Sequence, residues 1–190
     1  MSKRRFAALL AACFATAAAA QQAREWLGQA PLPGFVVGWE QQNRGAMIVE
    51  YVPRGETVHA WTRMITIQHF LGRLNGSMTF EAWVDNYLGN VGRACPGAVF
   101  SRPAYSRIQG RPAVQLRGDC PRNALTGSPE TFLFLGFNSG GDLHIAQVAF
   151  RHVPSADELR WARRHLASVI FCTAASANPI CRADPEPRKR

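Results

Sequence analysis

The hydrophobic residues of this chain repeat with two periods, that of a strand and that of a helix. The strand period of two residues is the more frequent. Runs rich in β-branched and aromatic residues recur between segments rich in Gly, Pro, Asn and Asp, which predicts strands joined by turns. The polar segments QQNRG and NSGGD each separate two such runs and predict hairpins. The predicted strands are FVVGWE, AMIVEYV, WTRMITIQ, AVFSR, AVQLRGDC, TFLFLGF and LHIAQVAF.

Two segments have the helical period instead. In MTFEAWVDNYLGNVGRA the apolar residues between positions 80 and 91 fall on one face, and Thr79 can cap the helix. The segment SADELRWARRHLASVIF begins with Ser155 and Glu158 at capping-box spacing, which predicts a second helix that continues to Phe171. This order of elements predicts an α+β fold, a single domain with a largely antiparallel sheet and two main helices.

The N-terminal residues have the order of an export signal. A basic start, MSKRR, precedes an apolar run and a series of small residues, which predicts that residues 1–20 are a removed signal peptide. The segment LAAC is similar to the lipobox of bacterial lipoproteins and leaves open an anchor at Cys13. We therefore expect a periplasmic or secreted protein, and no later segment is apolar for long enough to span a bilayer.

The remaining chain divides into a lead-in, one domain and a tail. Residues 21–34 contain a predicted turn of helix and several prolines, and residues 35–174 carry the predicted sheet and helices. Residues 175–190 form a C-terminal tail that a disulfide holds to the domain and whose end is expected to be disordered. About 170 residues are enough to bury one hydrophobic core.

Four cysteines remain after the predicted signal peptide. An even number in an exported chain indicates disulfides, and four cysteines allow three pairings. Cys95 with Cys120 and Cys172 with Cys181 are the favoured pairs because each pair brackets one local unit. A metal site is the alternative, but C-x-x-C and zinc-type histidine spacing are both missing from the sequence. Neither a metal nor another cofactor is predicted.

The positive charge of the chain is spread rather than concentrated. The formal net charge is +9, and it falls to +6 when the three basic residues of the signal peptide are removed. The final segment RADPEPRKR supplies +2 of this charge, and the rest is spread along the chain without the basic runs and interleaved aromatic residues of a nucleic-acid groove. We therefore expect no nucleic-acid partner and at most a weak attraction to anionic surfaces.

The order of elements from Phe35 to Phe171 resembles that of small exported domains of the PsbP and Mog1 type. The strand GETVHAWTRMITIQ, which leads into a helix, contributes to the resemblance. Domains of this type mostly act as binding or accessory modules. The resemblance therefore implies a fold and a general role, but no site residue.

The segment EYVPRGETVHAWTRMITIQHF is the densest group of chemically active side chains. Because His59 and His69 are ten residues apart, one continuous strand would place them about 33 Å apart, which excludes a shared metal or proton. We interpret the segment as two strands and their turn, in which Glu50 could pair with Arg63 or His59 across the strands. His144 is interpreted as a core or solvated histidine, since no metal or catalytic motif surrounds it.

The sequence favours a non-enzymatic binding or accessory module of the bacterial envelope, with no predicted catalytic residue. Its partner would be an envelope protein or a small acidic or aromatic ligand. The alternative is a small periplasmic hydrolase with a site built from Glu56, His59, Asp142 and His144. The residues predicted to gather on one sheet edge and bind the ligand are Arg54, Trp61, Arg63, Tyr105 and Arg107.

Overall fold

The computed structural model describes residues 25–124 and 126–182, so the predicted signal peptide, Cys13 and the end of the tail lie outside the described residues. The helices are α1 (Phe80–Ala94) and α2 (Ala156–Ala167), and a 3-10 turn spans Pro179–Arg182. The strands are β1 (Trp26–Gly28), β2 (Phe35–Gln42), β3 (Ala46–Pro53), β4 (Arg63–Phe70), β5 (Val99–Phe100), β6 (Ala104–Ile108), β7 (Arg111–Cys120), β8 (Glu130–Ser139), β9 (Asp142–Phe150) and β10 (Ile170–Cys172).

Eight strands form one antiparallel sheet. Its order is β2-β3-β4-β9-β8-β7-β5, and β6 also pairs with β7. Five pairs of consecutive strands are antiparallel neighbours, namely β2–β3, β3–β4, β6–β7, β7–β8 and β8–β9. In contrast, β4 and β9 pair although about 70 residues separate them. The uncharged run TFLFLGF lies in β8, two strands from the β5 edge, where seven consecutive residues are buried. The predicted α+β fold with a largely antiparallel sheet and two main helices is confirmed.

Each helix covers one face of the sheet. On the α1 face, Trp83 and Val84 pack in one apolar cluster with Phe134, and Thr79 caps the helix by accepting a hydrogen bond from the Ala82 amide. On the α2 face, the apolar side of the helix packs against alternate residues of β4, β8 and β9, because successive side chains of a strand point to opposite faces. The predicted capping box of α2 is present.

A two-stranded ribbon of β1 and β10 lies outside the main sheet. The sequence patterns suggested a turn of helix near β1 and a helix continuing through β10, and both interpretations are wrong. The α2 helix ends at Ala167, and Ile170–Cys172 pairs with Trp26–Gly28. Leu27 and Phe171 bring the ribbon onto the core of the α2 face. A segment of three residues is too short to show a period in the sequence.

Both favoured disulfides are present. Cys95 and Cys120 join the end of α1 to the end of β7, and Cys172 and Cys181 join β10 to the 3-10 turn. Each disulfide closes a local segment, because Cys95 and Cys120 are 25 residues apart in sequence and Cys172 and Cys181 are 9 residues apart.

Among the residues that the structure describes, neither helix has the length and apolar character needed to cross a bilayer.

Candidate functional site

A cleft of about 350 Å³ opens between the first residue of β4 and the side of α2 that carries Trp161, Arg164 and His165. We call it the β4–α2 cleft. Aromatic and basic side chains line it together with two prolines of the segment before β2. Its principal lining residues are Leu32, Phe35, Arg63, Trp161, Arg164 and His165.

The folding of two elements places these side chains. Arg63 begins β4 and has the same parity as Ile65 and Ile67, which point to the α2 face, so the Arg63 side chain points there too. Trp161 and His165 are four residues apart and lie on one side of α2. Their rings stack with centroids 5.9 Å apart.

Arg63 contacts aromatic rings rather than an acid. Its guanidinium carbon lies 5.8 Å from the centroid of Phe35 and 5.6 Å from that of Trp161. Those two rings are nearly parallel, with centroids 6.0 Å apart. Neither Arg63 nor Arg164 forms an ion pair with any carboxylate in the described part of the chain. The cleft therefore offers two positive charges and flat apolar walls to a ligand.

The histidine of the cleft adds no charge at neutral pH. Burial lowers the pKa of His165 below its ordinary value, because the charged imidazolium would lose its hydration. Its Nε2 atom lies 3.2 Å from the side-chain oxygen of Gln29. The electrostatic character of the cleft therefore comes from its two arginines.

Three of the five predicted binding residues lie near one another. Tyr51 of β3 pairs with Ile65 of β4, so Arg54 and Arg63 lie at the same end of the sheet. Trp61 is close to them in sequence but is buried in the apolar cluster of the α1 face. These three residues thus share an end of the sheet, although they do not share a face.

The other two predicted residues lie on the far side of the sheet. Tyr105 and Arg107 belong to β6, which pairs with β7, four strands from β3 in the sheet order. Tyr105 makes an edge contact with Phe80, and Arg107 donates to the carbonyl of Gly110. The structure therefore does not bring the five residues to one sheet edge.

The residues of the alternative hydrolase site are also separated. Both side-chain oxygens of Glu56 accept hydrogen bonds from Thr62, just before β4 begins. Asp142 and His144 lie beside the other end of β4, because Leu143 pairs with Phe70. Glu50 also lies away from its suggested partners, opposite Thr66.

Asp142 and His144 instead meet His69, and we call these three residues the histidine cluster. His69 of β4 and His144 of β9 are direct partners across the two strands. Their rings stack with centroids 4.2 Å apart and an angle of 11° between the planes. Asp142 Oδ2 lies 3.4 Å from His69 Nε2, and Asp142 Oδ1 accepts a 2.7 Å hydrogen bond from the amide of Gly72.

His144 is enclosed in the protein. Its side chain is fully buried, and the edge of its ring contacts Phe171 of the ribbon, with centroids 5.0 Å apart. Burial, followed by the neighbouring His69, lowers the pKa of His144 to about 3, although Asp142 acts in the opposite direction. Neither ring nitrogen has a hydrogen-bond partner among the described residues. His144 is therefore a neutral, unpartnered imidazole at neutral pH.

A second charged group lies beside the cluster. Arg111 and Ser139 both donate to the carboxylate of Glu25, and the Arg111 guanidinium lies 4.2 Å from the ring centroid of Phe171. Burial raises the pKa of Glu25, but the hydrogen bonds from Arg111 and Ser139 outweigh this effect and leave the pKa below its ordinary value.

The sequence interpretation missed the histidine cluster. His69 was compared with His59, whereas its true neighbours belong to β9. One signal was available, because Asp142 directly precedes the predicted strand LHIAQVAF and lies two residues before His144. The two residues share a face if that strand begins one residue earlier. The strand that supplies the third side chain depends on the sheet order, which local patterns do not contain.

No protein-family model matches the chain, and no curated protein matches it. Among solved structures, the chain is similar to the Ran-binding protein Mog1p of Saccharomyces cerevisiae, with 10% identity and a TM-score of 0.50 over 78% of this chain and 94% of Mog1p. A protein of unknown function from Pseudomonas aeruginosa has 16% identity and a TM-score of 0.45, over 67% of this chain and 80% of its own.

A third solved structure is LpqN of Mycobacterium tuberculosis, described as involved in cell envelope biogenesis. It has 11% identity and a TM-score of 0.41, over 80% of this chain and 87% of its own. The likeness to Mog1p confirms the expected fold of the PsbP and Mog1 type. At 10% identity this likeness extends to the fold alone.

Proposed function

We propose that this protein is an exported, non-enzymatic binding module of the bacterial envelope, whose β4–α2 cleft takes an anionic group beside an apolar or aromatic one. The observation that carries this proposal is that Arg63 and Arg164 line the cleft without an ion-pair partner in the described chain. Unpaired arginines beside aromatic walls fit a carboxylate-bearing ligand or a partner's acidic segment.

Export and a binding role have further support. The basic and apolar start of the sequence has the order of a signal peptide, and two disulfides are typical of proteins that fold in oxidising compartments. Mog1p, which has a similar fold, is described as a Ran-binding protein, so this type of fold can serve protein recognition. The envelope is the oxidising compartment that such a module would occupy in a bacterium.

The geometry suggests how an anion would be held. Arg63 is half-buried and its guanidinium lies beside two rings, which limits the orientations that the side chain can adopt. A guanidinium fixed in this way can donate two parallel hydrogen bonds to one carboxylate. Arg164, which is exposed on α2, would add a second positive charge at the mouth of the cleft.

A pair of small probes tests the proposal. N-acetyl-phenylalanine carries a ring and a carboxylate, whereas its amide has the same ring without the charge. We expect the acid to bind with a dissociation constant of about 1 mM, because a ligand with so few atoms makes few contacts. Its binding should shift the backbone NMR signals of β4 and α2. The amide should bind at least about tenfold more weakly, because it forms no charge-assisted hydrogen bond.

Two variants locate the binding. Arg63→Gln should weaken binding of the acid about tenfold, and Arg107→Gln, a change on the far side of the sheet, should leave it unchanged. Equal binding of acid and amide, no binding of the acid, or unchanged binding by Arg63→Gln would each contradict the proposal. Circular dichroism of each variant confirms that it is folded.

A further inference from the structure

The histidine cluster has the side chains and the spacing of a metal site. One nitrogen or oxygen from each of His69, Asp142 and His144 lies within 4.8 Å of the other two. In a tetrahedral zinc site with bonds of about 2.1 Å, neighbouring ligand atoms are about 3.4 Å apart. The separation between Asp142 Oδ2 and His69 Nε2 is already 3.4 Å. Two of the three candidate ligand atoms are therefore separated by the distance expected between neighbouring ligands of one zinc ion.

His144 supplies an independent observation. A buried imidazole normally bonds through at least one nitrogen, because leaving a polar group without a partner in the interior is unfavourable. His144 is fully buried with both nitrogens unpartnered among the described residues, and it stacks directly on His69. A bound cation would give the lone pair of one nitrogen the partner that the fold does not provide.

We propose that His69, Asp142 and His144 bind one divalent transition-metal ion, with Zn²⁺ the best match to the ligands. Two imidazoles and one carboxylate are a common ligand set for zinc, and they leave a fourth position for water or another ligand. Thiolate ligands are excluded for the described cysteines, since all four form disulfides. This proposal does not depend on the β4–α2 cleft.

The charges around the cluster favour a cation. Glu25 is engaged by Arg111 and Ser139, so the Arg111 charge is compensated locally. Asp142 then contributes a negative charge, and the Gly72 amide fixes its Oδ1 while Oδ2 faces His69. A hydrogen bond of this kind orients a ligating carboxylate in known metal sites.

Binding requires one change of side-chain orientation. In parallel stacked rings the nitrogen lone pairs point in parallel planes, so both cannot be directed at a single ion. One ring must therefore turn about its Cβ–Cγ bond. His69 borders a cavity of about 290 Å³ between the β2–β3 turn and the end of β4, which provides room for this rotation and a path of entry for the ion. Asn43, Arg44 and Leu71 also line that cavity.

Metal titration of the full, untagged protein tests the proposal. The protein is first dialysed against a chelator, and zinc binding is then measured by calorimetry. We expect one Zn²⁺ per chain and a higher melting temperature in its presence, because an ion that binds only the folded state stabilises it. Co²⁺ should produce visible absorption bands of a four- or five-coordinate site, and Zn²⁺ should displace it.

Three variants identify the ligands. His144→Phe keeps an aromatic ring in the buried stack but removes both nitrogens, and Asp142→Asn removes the charge; each should weaken zinc binding more than about tenfold. His59→Gln, a change of an exposed histidine near the start of β4, should bind zinc as the wild type does. The melting temperature without metal shows whether each variant is folded.

Three results would overturn the proposal. These are a folded wild type that binds no zinc, a Co²⁺ spectrum identical to that of the hydrated ion, and unchanged zinc affinity of both His144→Phe and Asp142→Asn. Because none of these measurements involves the N-acetyl-phenylalanine probes, failure of the metal site and failure of the anion-binding cleft are distinguishable.

Discussion

Arg63 and Arg111 make the same kind of contact in two different electrostatic settings. The guanidinium of Arg63 lies beside Phe35 and Trp161, and that of Arg111 lies over Phe171. Arg111, however, also donates to the carboxylate of Glu25, whereas Arg63 has no carboxylate partner in the described chain. The comparison shows that an aromatic contact alone does not reveal the role of an arginine. Its charge partner separates a structural side chain from one available to a ligand.

The two arginines also differ in what covers them. Arg111 lies under the ribbon of β1 and β10, which the Cys172–Cys181 disulfide holds in place, whereas Arg63 lines an open cleft. The histidine cluster is on the covered side, where Phe171 contacts His144. The same sheet face therefore carries an exposed basic cleft near the start of β4 and an enclosed polar cluster near its end.

Among the changes that act on the two arginines and their surroundings, releasing the ribbon should have the largest effect. Replacing Cys172 and Cys181 with alanine removes a cross-link over nine residues, and we expect the free energy of unfolding to fall by about 2–3 kcal/mol. The contact between Phe171 and Arg111 should weaken as well. Arg111 would then lie in a more open environment, as Arg63 does. Urea unfolding monitored by tryptophan fluorescence measures the loss of stability.

The other disulfide provides the control for this experiment. Replacing Cys95 and Cys120 removes a cross-link over 25 residues, for which the loop-length relation gives a larger loss of about 3–4 kcal/mol. Because Cys120 lies at the opposite end of β7 from Arg111, this change should leave the NMR signals of Phe171 unchanged. If both double variants change these signals equally, the ribbon is not what distinguishes the two arginines.

The ion pair of Arg111 should contribute the next largest effect. Arg111→Met keeps an apolar stem beside Phe171 but leaves the partly buried Glu25 without its cationic partner. We expect a loss of about 1.5–2 kcal/mol in the free energy of unfolding, at the low end of the range for hydrogen bonds to charged groups because both side chains are partly exposed. Glu25→Gln, which keeps a neutral acceptor for Ser139, should lose less than Arg111→Met does. The reverse order in urea unfolding would show that packing on Phe171 matters more than the charge pair.

The contribution of the Glu25–Arg111 pair to the free energy of unfolding should depend on pH. The folded state lowers the pKa of Glu25, so its carboxylate stabilises the fold above its ordinary pKa of 4.5, and this contribution is lost as the pH falls through the folded pKa. The wild type should therefore be more stable than Glu25→Gln at pH 7, and the difference should shrink below about pH 4.5. A difference that stays constant from pH 7 to pH 3 would contradict this assignment.

The parts of this architecture that local patterns encode were predictable from the sequence. The α1 period, the α2 capping box and the two disulfides each depend on residues close together in the chain, and all are present. The pairing of β4 with β9 joins segments about 70 residues apart, and no local pattern records it. The histidine cluster depends on that pairing, which explains why the sequence left His69 and His144 unrelated.

The candidate ligand site was predictable only in part. Arg63 was among the predicted binding residues on the basis of residue type alone. Its aromatic neighbours were not foreseen, since Trp161 comes from a helix about 100 residues later and Phe35 from another strand. Tyr105 and Arg107 were grouped with Arg63 by residue type, whereas the sheet order places them on the far side. Residue type thus identified the cation but not its surroundings.

The smallest effect should come from Arg63 itself. Arg63→Met removes a half-exposed cation that has no carboxylate partner but keeps much of its apolar contact with Phe35 and Trp161. We expect the free energy of unfolding to change by less than about 1 kcal/mol, the magnitude of an exposed cation–π contact. Urea unfolding of Arg63→Met and Arg111→Met in the same buffer compares the two arginines directly. Equal losses would show that both are structural, whereas a small loss for Arg63 alone is what a side chain retained for binding should give.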